Sequence, residues 1–205
     1  MKRLMRARDN PFKTDRVLGV RYRFRDGSWE ELLARLKRLN YRAAIVGPDG
    51  AGKTTLLEDL EPMLGGLGFR VRCLRLDRET RSFPRGFLKS LFAALDKSDL
   101  LLFDGADEMS RFAWQRFKTR SKKAGGLIIT SHRRGMLPTL IECATSSGLL
   151  TEIIAELLGG EPQSAREATE KLYAKHNGNL RDALREMYDL YAAKDFEVEK
   201  ERIHL

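Results

Sequence analysis

The chain has 205 residues, of which 42% are hydrophobic and 33% charged, a length and balance suited to one globular core with a small appendage. No window approaches the roughly 20 apolar residues of a bilayer-crossing helix, and the start MKRLMRAR is basic with no apolar stretch after it. We therefore expect no membrane span, no secretory signal and a cytoplasmic location. The net charge of +9 is concentrated in residues 1–25, with nine Lys/Arg against two Asp, and in residues 111–123, with six Lys/Arg and no acid. Each stretch is a candidate surface for an anionic partner such as nucleic acid, or a solvated face.

Cys73 and Cys143 show no CxxC or Cys/His spacing, and His132, His176 and His204 share no ligand spacing, which argues against a zinc site or a disulfide framework. Along the chain, residues 1–27 lack a sustained period and read as an irregular basic arm with a short strand over Val20–Phe24. Ser28 with Glu31 forms a capping box, and Trp29, Leu32, Leu33, Leu36 and Leu39 recur at helical spacing through Asn40. The run Ala43–Val46 is apolar without alternation, as in a strand buried on both faces, and breaks at Gly47. A helix is predicted over Thr54–Leu64, stopped by Gly65–Gly68, followed by an alternating strand over Phe69–Leu76. Pro84–Leu95 reads as a helix, Leu100–Phe103 as a buried strand, Ser110–Lys123 as a helix and Leu127–Thr130 as another strand. A weaker fifth strand is expected over Thr139–Thr145. Helices follow over Leu149–Leu158, over Ser164–Lys175 opened by a Ser164/Glu167 box, and over Asn179–Lys194. The alternation predicts an α/β fold with a mostly parallel sheet between helical layers. The domains expected are an arm at 1–27, a core at 28–147, a helical lid at 148–194 and a charged tail at 195–205.

Gly47-Pro48-Asp49-Gly50-Ala51-Gly52-Lys53-Thr54 fits G-x-x-x-x-G-K-[ST] between a predicted strand and a predicted helix, the context this phosphate-binding loop needs. Its glycines let successive N–H groups turn inward around phosphates, and the helix N-terminus adds its positive dipole. Lys53 is placed for the β- and γ-phosphates of a nucleoside triphosphate, Thr54 for a magnesium ion and Thr55 for the α-phosphate. Asp104 ends the strand Leu100–Phe103, and Asp107 and Glu108 follow within one turn, at the strand edge where open α/β sheets bind ligands. Asp104 is the natural partner of the Mg ion, and Asp107 or Glu108 would polarise an attacking water. Thr130 and Ser131 end the fourth strand at the same edge, where a hydroxyl would orient that water or read the γ-phosphate. Arg133 and Arg134 follow as candidate arginine fingers or as solvent-facing arginines.

Together these segments resemble the additional-strand class of P-loop NTPases, and within it the STAND and AAA+ groups, over roughly residues 40–194. LLLFDGADE is similar to the acidic motif of NACHT-type STAND ATPases, and GPDGAGKTTLL and LIITSHRR fit their loop and sensor 1. The resemblance implies a P-loop three-layer sandwich in which Asp104 serves Mg while Asp107 and Glu108 promote hydrolysis. His176–Leu184 is similar to the AAA+ lid, where an Arg early in the last helix acts as sensor 2. Arg181 is that candidate, and an exposed helix arginine behind an Asn179 N-cap is the alternative.

The expected function is Mg-dependent ATP binding and hydrolysis by a nucleotide-driven switch or assembly factor. STAND proteins carry long repeat or effector domains for which the chain leaves no room, so the switch is expected to act on a separate protein partner or by self-association. No [NT]KxD guanine-reading motif follows the fourth strand, which favours ATP over GTP. Two other readings are a thymidylate-kinase-like phosphotransferase, with Asp77-Arg78 as its Asp-Arg pair and the Arg111–Arg120 helix as its lid, and a nucleotide-holding nucleic-acid-binding module.

Overall fold

The computed structural model describes residues 9–160 and 166–192. Its centre is a single five-stranded parallel sheet made of β1 (Arg42–Val46), β2 (Arg70–Arg75), β3 (Asp99–Asp104), β4 (Gly126–Ser131) and β5 (Thr139–Glu142). The strand order is β2-β3-β4-β1-β5. The three inner strands are buried almost throughout, as their unbroken apolar runs require, whereas the edge strands β2 and β5 each have one buried position among exposed or half-buried ones. The helices are α1 (Thr14–Leu18), α2 (Trp29–Arg38), α3 (Lys53–Gly66), α4 (Phe87–Ala94), α5 (Arg111–Arg120), α6 (Ser147–Leu158), α7 (Arg166–Lys175) and α8 (Leu180–Ala192).

Two compact units emerge. The sheet unit comprises Tyr22–Gly47 and Gly52–Cys143, and the helical unit comprises the described parts of Met1–Arg21, Pro48–Ala51 and Ala144–Leu205. In the sheet unit, Leu91 and Phe92 of α4 and Trp114 and Phe117 of α5 pack on one sheet face against Ala44, Val46, Leu101, Phe103, Leu127 and Ile129. Burying an aromatic such as Phe117 contributes about 2–3 kcal/mol. The alternate strand positions face the other way, where α3 lies against β1 to β4. Helix–sheet–helix layering of this kind makes the unit an α/β three-layer sandwich, with its crossovers supplied by helices.

Serines open three helices: the Oγ of Ser28, Ser110 and Ser146 accept from the N–H of Glu31, Ala113 and Leu149 at 3.3, 3.3 and 3.1 Å. The helix predicted over 84–95 begins at Phe87, because Gly86 adopts φ +82° and Pro84 closes a turn onto Phe87. The one predicted over 110–123 tightens at Ser121 into a 3-10 turn. There the Arg42 guanidinium holds the carbonyls of Ser121 and Ala124 at 2.9 and 2.8 Å.

The helical unit is built on Leu150, Ile153, Ile154 and Leu157 of α6, Leu172 of α7, and Leu180, Ala183, Leu184 and Met187 of α8. Phe12 and Val20 complete this cluster, and the Asn10 amide donates to the Tyr188 carbonyl at 2.9 Å. The strand expected over Val20–Phe24 is not formed: α1 precedes it, Val20 is buried among helices, and the following residues have no strand partner. The Ser164 half of the predicted capping box and the tail 195–205 lie outside the described residues. No described helix is long and apolar enough to cross a membrane.

Candidate nucleotide-binding site

β1 delivers the chain into the loop Gly47–Gly52, whose first N–H still reaches the Ser131 carbonyl of β4 at 3.2 Å. A Cβ at Gly47 would sit 2.5 Å from the Cys143 carbonyl oxygen, so no side chain fits. Gly50 and Gly52 hold φ at +70° and +79°, a region that costs other residues about 1–2 kcal/mol. Gly52 is the N-cap of α3 and offers no side-chain cap. The first N–H groups of α3 are therefore left for an anion, reinforced by the helix dipole. Lys53, only 8% exposed, donates from Nζ to the Gly47 carbonyl at 2.8 Å. Thr54 and Thr55 follow on the first turn of α3, both half-buried.

Parallel pairing brings the ends of β3 and β4 alongside one another and places a carboxylate between two hydroxyls. Thr54 Oγ1 donates to Asp104 Oδ2 at 3.0 Å, and Thr130 Oγ1 donates to Asp104 Oδ1 at 2.6 Å. The Thr130 oxygen in turn accepts the Gly105 N–H at 2.8 Å. Arg75 of β2 stands 3.6 Å from Asp104. A cleft of about 240 Å³, lined in part by Thr54, Glu58, Glu61, Cys73, Arg75 and Asp104, opens beside this group.

The acidic turn after β3 separates its two other carboxylates. Asp107 Oδ2 accepts both the backbone N–H of His132 and its ring Nδ1, each at 2.9 Å, and the side chain is only 7% exposed. Its Oδ1 is buried without a hydrogen-bond partner among the described residues. Glu108 is half-buried. Ser131 is turned inward: its hydroxyl donates to the Arg133 carbonyl at 2.9 Å and accepts the Arg133 N–H at 3.1 Å. Arg134 is paired with Glu142, and Arg133 is exposed.

The loop tip Pro48–Ala51 belongs to the helical unit, where it meets the start of α8. A Cβ on Gly50 would lie 2.0 Å from Asn179 Oδ1 and 2.9 Å from the Leu180 nitrogen. Asn179 caps α8, accepting the N–H groups of Arg181 and Asp182 at 3.1 and 3.3 Å. Arg181 is exposed on the first turn of that helix.

Three supports escaped sequence reasoning. His132, set aside there for want of ligand spacing, holds Asp107. Asn179 limits the loop tip. Behind the loop, the Tyr22 N–H donates to buried Asp59 at 2.7 Å, and its hydroxyl lies 3.6 Å from the Cys143 sulfur. Burial first, and Cys143 second, push the Tyr22 phenol up; burial raises the Cys143 thiol against the opposing pull of the Tyr22 hydroxyl and Lys53. No short-range pattern marks any of these pairs, because each joins residues far apart in the chain.

The donor set suits magnesium. Thr54 and Asp104 supply hard oxygens, and neighbouring ligands of an Mg octahedron at 2.0–2.1 Å lie about 3 Å apart, close to the separation of these two oxygens. Among the described residues no group of three or more His, Cys, Asp or Glu could hold a metal. An ion that leans on phosphates and water fits such a site better than a caged one does.

In structure the chain is similar to RuvB of Thermotoga maritima, described as a Holliday junction branch migration motor, with a TM-score of 0.53 at 18% identity. That match covers 85% of this chain and 67% of the other. Two substituted forms of the same protein match with TM-scores of 0.54 and 0.52 at 17% and 16% identity, each over 86% of this chain and 69% of theirs. This likeness shows the fold, an α/β sandwich around a five-stranded parallel sheet. No family model and no curated protein matches the chain.

Proposed function

We propose that the protein binds Mg-ATP on the loop Gly47–Thr55 and hydrolyses it, acting as a nucleotide-driven switch or assembly factor on a separate partner. The observation that carries this reading is the Thr54–Asp104–Thr130 group at the end of β3, beside the buried ammonium of Lys53. A phosphate-binding loop alone holds a nucleotide. A carboxylate held between two hydroxyls next to it supports metal-assisted phosphoryl transfer.

In this reading the backbone of residues 47–52 and the N-terminus of α3 cradle the phosphates, Lys53 offsets their charge, and Thr55 contacts the α-phosphate. Thr54 and Asp104 would hold the Mg ion, which would supply charge neutralisation to the phosphates. Thr130, tied to Asp104, keeps that carboxylate oriented and reads the γ-phosphate. Asp107 is committed to His132, whereas the Glu108 side chain makes no hydrogen bond or ion pair among the described residues. Glu108 is therefore assigned to orient and deprotonate the attacking water, and Asp107 to set the position of its turn. Ser131 shapes the turn after β4. Arg181, beside the Asn179 cap that abuts the loop tip, is the candidate sensor of the bound nucleotide.

The division of labour follows: residues 28–147 are the hydrolytic core, residues 148–194 the lid, and the STAND or AAA+ character lies in how the lid responds. The kinase-like alternative is weakened by two observations. Asp77 is spent on its own turn, accepting the N–H groups of Glu79 and Thr80 at 2.9 and 2.6 Å. Helix α5, the candidate clamp, is anchored in the core by Trp114 and Phe117.

Phosphate release from Mg-ATP tests the proposal, with Lys53→Ala and Glu108→Gln beside the unaltered protein. Slow hydrolysis is expected, abolished in both variants, with ATP binding retained by Glu108→Gln. Undiminished turnover in Lys53→Ala, or ATP binding with no turnover by the unaltered chain under any condition, refutes it.

A further inference from the structure

Helix α5 has two faces of opposite character. Trp114 and Phe117 enter the core, while Arg111, Phe112, Arg116 and Arg120 are exposed. Phe112, Arg116 and Arg120 recur at intervals of four, so they form one stripe about 12 Å long. Lys122 and Lys123 follow it on the next turn, both exposed, and residues 111–123 carry six Lys/Arg and no acid. Lys97 donates to the Lys122 carbonyl at 3.2 Å, which brings another cation to the same end. Arg120 stacks over the Phe92 ring at 5.5 Å, fixing the far end of the stripe. Arg111 and Arg116 have no side-chain hydrogen bond or ion pair among the described residues.

Charge alone would describe a solvated face, but Phe112 does not fit that description. It is 80% exposed, the most exposed large hydrophobic residue among those described, on the first turn of an otherwise cationic helix. An aromatic ring set among guanidinium groups matches a polymer that offers both phosphates and open base faces. A duplex hides its base faces and would use the cations alone. A lipid surface needs an apolar helix face, and that of α5 is already buried in the core.

We propose that the exposed face of α5 binds single-stranded nucleic acid, with Phe112 stacked on a base and Arg111, Arg116, Arg120, Lys122 and Lys123 along the phosphates. As the partner contact of the switch, this rests on the ATPase reading above. As a binding surface, it is measured without nucleotide.

The test is fluorescence anisotropy of the full chain with labelled oligothymidylate, a duplex of equal length and phosphatidylserine vesicles as separate probes. The single strand is expected to bind tightest. Arg111→Glu with Arg116→Glu should weaken it about tenfold or more and flatten the dependence of log affinity on log salt by about 1.4, from two phosphates at about 0.7 each. Phe112→Ala should weaken single-strand binding about fivefold or more and leave the duplex unaffected, while Phe112→Trp restores it. All three positions are exposed, and an unchanged thermal melt separates loss of contact from loss of fold. Wild-type affinity in either variant, or preference for the duplex or the vesicles, overturns the proposal. Strand binding that persists in Lys53→Ala while hydrolysis is lost keeps the two readings apart. Absent hydrolysis with Phe112-dependent strand binding sinks only the ATPase reading, and the reverse pattern sinks only this one.

Discussion

The sheet unit and the helical unit each hold their own residues of the segment Gly47–Gly52, by different means. At the end of β3, Asp104 is held by two hydroxyls whose own positions are set by the first turn of α3 and the last residues of β4. Around Gly50, the fit to Asn179 and Leu180 is one of shape, with no space for even a methyl group. Hydrogen bonds between fixed elements set direction, so changes there should alter chemistry while the fold survives. A steric fit sets only distance, so changes there should alter how loop and helix pack and reach the chemistry indirectly.

Asp104→Ala should break the comparison most sharply. It removes a charged oxygen pair and leaves two hydroxyls without their acceptor, and hydrolysis is expected to fall about a hundredfold or more with an unchanged circular dichroism spectrum. Retained turnover would deny that the β3 end is the chemical centre. Gly50→Ala should act more mildly, because the strained φ of +70° and the displaced Asn179 weaken the loop by about 1–2 kcal/mol. ATP affinity should drop about tenfold, and pairing the change with Asn179→Gly should recover part of it. Calorimetric titration of the single and double variants decides this, and an additive loss would show that the contact is not limiting.

His132→Ala sharpens the picture within the sheet unit. Asp107 would keep the backbone N–H but lose the ring, leaving a buried carboxylate less satisfied at a cost of about 1–3 kcal/mol. Denaturant unfolding should show that loss, and kcat should fall more than ATP affinity. The smallest effect is expected far from the site, at Asp99. Its carboxyl is fully buried, yet the Asp96 N–H and the Arg72 and Arg70 guanidinium groups outweigh the upward pull of desolvation and hold it below the usual aspartate range. A depressed value stabilises the fold above the unfolded pKa of about 3.9 and loses that contribution as pH falls through the folded value. Asp99→Asn should therefore flatten the acid limb of stability below about pH 4, read from thermal melts across pH, and leave stability near neutrality lower than in the unaltered chain.

Much of the sheet was legible because its signals are local. The apolar runs at Ala43–Val46 and Leu100–Phe103, the glycine loop and the Ser28 capping box each depend on residues within a few positions of one another. The edge strand β5 was faint for a physical reason: Pro138 and Glu142 are tolerated where one side of a strand has no neighbour, and Glu142 is exposed there in a pair with Arg134. The N-terminal segment was misread because a five-residue helix shows no period, and because the burial of Phe12 and Val20 depends on helices more than a hundred residues away.

The candidate site divides along the same line. Residue type and spacing alone marked Gly47–Thr55, Asp104, Asp107 and Glu108 as candidates for phosphate and metal chemistry, since the loop conformation and the strand-end carboxylate are properties of short segments. Only the tertiary structure decided which atoms meet. The insertion of β4 between β1 and β3 carries Thr130 onto Asp104 and His132 onto Asp107, and so divides the acidic turn into a held carboxylate and a neighbouring Glu108. Strand order follows from packing crossover helices over a whole sheet, a balance struck among distant residues.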